Sequence, residues 1–479
     1  MIDRYQDDRG HSYLMELDCW HWARYVDNVV NRGYPGDEVI GGKQFDNFML
    51  APEGRFLIWD DFLYYLSAFL YKSFSLFKQV ALFDFLYYLP LFFVILFIAV
   101  LYLFSYRLGG HIAGIISCLF IGLSANFIPR SCVGWFDKDI LNLLFPLLVV
   151  WTYLKAGSSS SYKHAFFWVC FSTFWAGLFC FTWFGWWFIF AIIVGYEVLN
   201  LAAYTFINLY YKKKDWSAVK RHFISLGCFV ALSSLWILLF AGIQPFQFLY
   251  DQLRKSLALS EAVETSIWPN VFSTVGELKR LSAAEIVNSL GGLLVFVPSL
   301  LSMMVILARN LFLRKDGLFK HEAIIILFLW FLSMLYACFQ GVRFLMFLAV
   351  PLGICLGWFI NDIYVYFRKM DKRWVAISVA SSIVLIFSSL FLSAANKVSR
   401  SLYPLMDDTW FKVLNILNDD IPKNAIINSW WDFGDWFKVV AKRRVIFDGQ
   451  SQDKPQAYWM AKALLSHRET ESVGILRML

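Results

Sequence analysis

The sequence predicts a polytopic α-helical membrane protein that continues into a mixed α/β extramembrane domain. Three observations predict it. The chain of 479 residues is 59% hydrophobic and 16% charged, whereas a soluble domain is roughly half apolar and a quarter charged. Its apolar residues gather in runs of about 20, the length a helix needs to cross the hydrocarbon core. Lysine and arginine are distributed unevenly between the loops that separate those runs.

Residues 1–83 are mixed in polarity and form an N-terminal segment. Met1 to Gly10 is charged and polar, so no cleavable signal peptide is expected at the start. Ten spans follow within a bundle over 84–394: 84–105, 111–128, 140–155, 165–182, 184–206, 222–242, 289–308, 322–340, 344–366 and 374–394. The fourth and fifth meet at Trp183 with room only for a tight turn. Residues 395–479 read as the start of the extramembrane domain. The eight cysteines are scattered, mostly inside apolar runs, and suit packing rather than disulfide or zinc chemistry.

Charge orients the bundle. One set of loops holds Arg107, Lys155, Lys163, Lys212, Lys213, Lys214, Lys220, Arg221, Arg309, Arg314, Lys315, Lys320, Arg368, Lys369, Lys372 and Arg373. The opposite short loops hold Arg130, Lys138 and Arg343, and the long loop 243–288 adds a few more. Cytoplasmic loops are rich in Lys and Arg, so both ends of the chain are expected outside. The net charge of +7 belongs to the inner loops, and nothing points to nucleic acid.

Four acidic segments then fall on the outer face. They are Glu16 to His21 with Asp18, the loop 129–139 with Arg130, Asp137 and Asp139, the loop 243–288 with Glu261, Glu264 and Glu277, and Trp430-Trp431-Asp432-Phe433-Gly434. Each also reads without function. Asp18 suits a surface position near a helix start, Asp137 and Asp139 suit a helix cap, and Trp-Trp-Asp suits an aromatic anchor. A loop of about 45 residues is long enough to suggest function or mobility. Together the carboxylates suggest oxygen ligands for a hard divalent cation beside a phosphate-bearing substrate.

These strings resemble the catalytic subunit of oligosaccharyltransferases, including the single-subunit bacterial and archaeal enzymes with a GT-C type bundle, over nearly the whole chain. Trp430 to Gly434 resembles the family's W-W-D-x-G signature, which implies that Trp430, Trp431 and Asp432 read the hydroxyl residue two places after an acceptor asparagine. Arg130 and Gly134 before Asp137 and Asp139 resemble its second acidic motif, and Asp18 its first. Thr274-Val-Gly-Glu277 is similar to the S/T-V/I-x-E motif. Its glutamate completes the metal site, with Glu264 a rival for the role. Gly341-Val-Arg343 resembles the arginine that contacts the lipid pyrophosphate. Asp448 to Gln452 is similar to a stretch that follows the signature, and Ile475 falls near the family's short helix beside the hydroxyl pocket.

The resemblance implies transfer of an oligosaccharide from a polyprenyl-(pyro)phosphate carrier to the asparagine of Asn-x-Ser/Thr in acceptor proteins, on the non-cytoplasmic face of the membrane (the cell membrane if bacterial or archaeal). It implies Mg²⁺ or Mn²⁺ held by Asp18, Asp137 and Glu277, with Asp139 orienting the site or joining the ligands. Asp18 and Glu277 would engage the acceptor amide. Partners are then a lipid-linked oligosaccharide, an acceptor protein and membrane lipids. Family members carry a span before the first aspartate and a larger C-terminal domain, so the sequence is expected to be truncated at both ends or to come from a shortened gene product. A membrane glycosyltransferase that modifies a hydroxyl or a lipid is the alternative, and Trp-Trp-Asp-Phe-Gly argues against it. A transporter or channel would place ionisable groups within spans, whereas the acids here gather in outer loops.

Overall fold

The computed structural model describes residues 5–6, 10, 12–57, 61–212, 215–257, 276–313, 317–370, 373–451 and 454–479. Before the first span, α1 (Leu17–Arg32) buries Cys19, Trp22, Ala23, Val26 and Val29, which recur at helical spacing along one face. It stops at Gly33, whose φ of 88° supplies the left-handed C-terminal residue, with its N–H bonded to Val29 O at 3.0 Å. An antiparallel sheet follows, β1 (Glu38–Ile40), β2 (Lys43–Asp46) and β3 (Arg55–Phe56) in that order. Asp61 caps α2 (Phe62–Ser75) by accepting from Leu63 N.

The first two predicted spans lie within one helical stretch, α3 (Leu82–Gly122), which reverses at Gly110. There φ is 76° and ψ −169°, a conformation essentially confined to glycine. The reversal brings Cys118 Sγ back to Ile98 O at 3.6 Å, so the halves pack as a hairpin. The second half ends at Gly122, short of the expected 128. Ser124 and Asn126 draw the backbone into turns instead, with Asn126 N bonded to Ser124 Oγ and Asn126 Nδ2 to Ser289 O.

The remaining spans are α4 (Asp139–Gly157), α5 (Tyr162–Thr182), α6 (Trp187–Tyr210), α7 (Ser217–Ala241), then, after α8 (Gln244–Leu257) and α9 (Ala283–Ser289), α10 (Leu293–Leu313), α11 (Leu318–Cys338), α12 (Leu345–Lys369) and α13 (Arg373–Ser401). A single 3₁₀ turn at Phe184–Trp186 makes the tight join after Trp183. Among the described residues eight helices are long and apolar enough to cross a membrane, Leu82–Gly122 counted once. The protein is an integral multi-pass membrane protein. Within it, 83% of the most apolar window around α12 is buried, against 17% for α7. α12 is thus the axis of the bundle, while α7 turns its apolar surface outward, as a helix facing lipid does.

Not every acid lies in an outer loop, contrary to the expectation. Glu197 in α6 and Glu322 in α11 are buried at the basic-loop end of the bundle. Glu197 accepts from His222 Nδ1 at 2.8 Å and from the Tyr153 hydroxyl, and Glu322 from Tyr196. Side chains from three spans, α4, α6 and α7, therefore satisfy these carboxylates, as buried charge requires.

After α13 come α14 (Asp408–Asp420), β4 (Ile426–Ile427), α15 (Gly434–Val439), β5 (Arg444–Val445), α16 (Gln456–Leu465) and α17 (Glu469–Met478), with β4 and β5 paired in parallel. β5 also joins the N-terminal segment: Val445 N bonds Phe48 O at 2.9 Å and Ala51 N bonds Val445 O at 3.0 Å. α15 packs against α1. Residues almost 400 apart in sequence therefore form one structure above the bundle.

Candidate active site

Four acids approach one another at the junction of α1, the turns before α4 and the 3₁₀ turn Gly276–Leu278. Asp18 stands in the first turn of α1, and Glu16, with extended backbone, immediately precedes that helix. Asp137 lies two residues before α4, and its Oδ1 accepts from Lys138 N. The turn that carries Glu277 is fastened to the 3₁₀ turn Val342–Phe344, just before α12, by Val342 N donating to Lys279 O at 3.0 Å. Its carboxylate thereby meets Arg343 at 3.5 Å and Arg130 at 2.5 Å.

The acids destabilise one another's charge. Burial, followed by the repulsion of Asp137 and Glu277, pushes Glu16 up to about 7. Burial and then Asp435, Glu16 and Glu277 push Asp18 up to about 8, against the opposing pull of Lys138. Asp137 is raised well above the ordinary carboxylate range by burial and by Asp139 and Asp18. Such a cluster is short of positive charge. Hard oxygen donors in that state suit a hard divalent cation in chemistry. Among the described residues no three acidic, histidine or cysteine side chains converge as a closed ligand set. Arg130 is one reason, because it holds Glu277 and, at 2.8 Å, Asp139. Asp139 is further committed to Trp135 Nε1 at 3.2 Å, so its carboxylate serves Arg130 and Trp135.

The aromatic string stands beside this cluster. Trp430 packs edge-on against Phe447, with centroids 5.5 Å apart, and Phe433 stacks on Trp410 at 4.9 Å. Asp432 is half-buried in the 3₁₀ turn Trp431–Phe433 and its carboxyl is raised by that burial. Among the described residues no side chain engages it, and no acceptor reaches the buried Trp431 Nε1. A Cβ built on Gly449 would lie 3.7 Å from Asp18 Oδ1 and 3.8 Å from the Trp431 ring. Gly449 thus lies within van der Waals reach of both the aromatic string and the first acid. Glu264 lies outside the described residues. Ile475 is buried in α17, which packs on α16.

Sequence reasoning missed several residues. Glu16 stood in the Asp18 string and was passed over as a neighbour. Lys138 pairs with Asp61 at 2.8 Å and sits 4.1 Å above the Trp22 ring. The signal for it was its place between Asp137 and Asp139. No local signal joined His21 to Asp435, which are 414 residues apart and 3.1 Å from each other.

A family model described as oligosaccharyl transferase STT3, N-terminal, matches residues 1–397. The chain is 23% identical to a dolichyl-phosphooligosaccharide-protein glycotransferase of Methanococcus voltae and 24% identical to one of Methanocaldococcus jannaschii, with all of this chain aligned. It spans 63% and 66% of the length of those relatives. Its fold matches an oligosaccharyltransferase of Archaeoglobus fulgidus tethered to an acceptor peptide containing the NVT sequon, with a TM-score of 0.73 and 16% identity, covering 100% of this chain and 66% of that one. The same A. fulgidus enzyme in complex with zinc and sulfate matches with a TM-score of 0.66 and 17% identity, over 97% and 63% of the two chains.

Proposed function

The chain belongs to the oligosaccharyl transferase STT3 family, and from that premise we propose that it carries out the transfer of an oligosaccharide from a polyprenyl-(pyro)phosphate lipid to the asparagine of Asn-x-Ser/Thr in acceptor proteins. The observation that supports the reading is that Asp18, repelled by Glu16 and Glu277, lies across Gly449 from the Trp431 ring, while Arg343 pairs with Glu277.

An amide nitrogen is a poor nucleophile because its lone pair is delocalised into the carbonyl. Asp18 and Glu277 accept hydrogen bonds from the asparagine amide and weaken that conjugation. The nitrogen then forms its bond to the sugar carbon as the bond from that carbon to the phosphate oxygen breaks, and the amide proton leaves to a carboxylate. Arg343 donates to the departing phosphate, for which a guanidinium is suited. A divalent cation, Mg²⁺ or Mn²⁺, held by Asp18, Asp137 and Glu277 would supply further neutralisation of that leaving group. Asp432, which no side chain among the described residues engages, accepts from the Ser or Thr hydroxyl, and Trp431 Nε1 donates to it. Together they hold the asparagine in line, an orientation effect. The reaction takes place on the non-cytoplasmic side. The basic loops lie at the opposite end of the bundle, which supports that side.

The test uses the full-length protein in proteoliposomes with a lipid-linked oligosaccharide and an Asn-x-Thr peptide. Glycopeptide should form, cease with EDTA and return with Mg²⁺ or Mn²⁺. Full turnover after rigorous chelation would remove the metal from the proposal.

A further inference from the structure

A buried ionic network that the proposed chemistry does not use joins the two halves of the site. His21 Nδ1 is 3.1 Å from Asp435 Oδ1, Lys438 Nζ is 2.7 Å from the same oxygen, and Lys438 Nζ is 2.5 Å from Asp448 Oδ2. The remaining Asp448 oxygen accepts from Ser451 Oγ at 2.7 Å and Gln450 N at 3.1 Å. All four ionisable side chains are at most 3% exposed.

Stability does not account for such a network. Two carboxylates and an ammonium leave water here, and buried ion pairs replaced by well-packed apolar side chains are often as stable or more so. Location accounts for it better. His21 lies one turn after Asp18 on the same face of α1. Asp435 lies one turn after Asp432. Asp448 precedes Gly449, whose position faces Asp18 Oδ1, Asp435 Oδ2 and the Trp431 ring at once. Fixing these three anchors therefore fixes the spacing between the first acid and the aromatic string.

We infer that His21, Asp435, Lys438 and Asp448 are positioning residues that set the Asp18 carboxylate against the Trp430–Asp432 pocket. The inference rests on the transfer reaction proposed above. An asparagine held by the pocket reaches the donor carbon only if that spacing is right, and a misplacement of about 1 Å can cost a rate factor of ~100.

The experiment compares full-length wild type with Asp435→Asn, Lys438→Met and Lys438→Arg, by peptide kinetics and by hydrogen–deuterium exchange. Asp435→Asn is nearly isosteric, and it decides the matter should Lys438→Met fail to fold. In folded Asp435→Asn, kcat should fall ~10- to 100-fold, with KM for an Asn-x-Thr peptide within about twofold. Exchange over 429–434 and 446–451 should quicken, while the spans stay as in wild type. Lys438→Arg should keep more of kcat than Lys438→Met. A purely structural network predicts lost folded protein with kcat per folded molecule unchanged, and that result overturns the inference. So does wild-type exchange in Asp435→Asn, whatever the activity. A wild type that makes no glycopeptide counts against the transferase reading instead, and exchange still decides the positioning role.

Discussion

In the proposed pocket Asp432 offers a half-buried carboxylate to an incoming hydroxyl, and among the described residues no side chain engages it. A site built to bond a hydroxyl rejects an analogue that lacks it, because its own polar groups are then unpaired. Asp432→Ala should raise KM for Asn-x-Thr peptides ~10-fold and erode the preference for Thr over Ala, while metal affinity stays close to wild type. Unchanged selectivity in folded protein would refute the pocket. Glu277→Gln should lower turnover severely and Glu264→Gln should be nearly silent. Asp137→Ala should weaken metal binding more than Asp139→Ala, because Arg130 and Trp135 already hold Asp139. The strings that hold Asp18, Asp137, Glu277 and Arg343 stand out in the sequence because they fall together on one face of the bundle, although each alone has an ordinary reading. The bond between His21 and Asp435 was not legible, since a contact across hundreds of residues leaves no trace in local spacing.

The elements were legible where hydropathy alone sets them. Ten apolar runs became helices because a backbone in lipid must satisfy itself. The end of the second span was misjudged because two polar side chains, Ser124 and Asn126, compete for the backbone there. Gly110 is the element-level hinge. Gly110→Ala forces an L side chain into a glycine-only conformation, so it should cost ~1–3 kcal/mol and lower the midpoint of thermal unfolding in detergent. Equal midpoints would contradict the hairpin geometry.

The β1–β3 sheet is tied to α1 by Arg24, which bonds Asp46 at 2.6 Å and Asp37 at 2.6 Å, with Arg24 and Asp46 buried and Asp37 partly so. Removing one partner of a buried pair strands the others, so Arg24→Met should destabilise this region by ~3–5 kcal/mol. Burial alone would raise the Asp46 carboxyl, but Arg24 and Lys438 outweigh it and hold it below the ordinary range. Its contribution is therefore complete at neutral pH and is lost only as pH falls below the ordinary carboxylate range. Exchange protection of residues 43–46 that already declines between pH 8 and pH 6 would contradict this sign.

Across the whole molecule, a basic end and an acidic end face opposite sides of the bundle. The N-terminal segment and the residues after α13 close over the acidic end through β5, α1 and α15. That closure brings Trp431 beside Asp18 across Gly449, which suits the proposed reaction between a soluble peptide and a lipid-borne sugar. The most direct measurement is mass-spectrometric mapping of the product made by the full-length protein from a lipid-linked oligosaccharide and an Asn-x-Thr peptide. The account predicts the glycan on the asparagine nitrogen, with none on the matching Gln-x-Thr peptide. A glycan found on the threonine hydroxyl or on a lipid, with the asparagine unmodified, would contradict it.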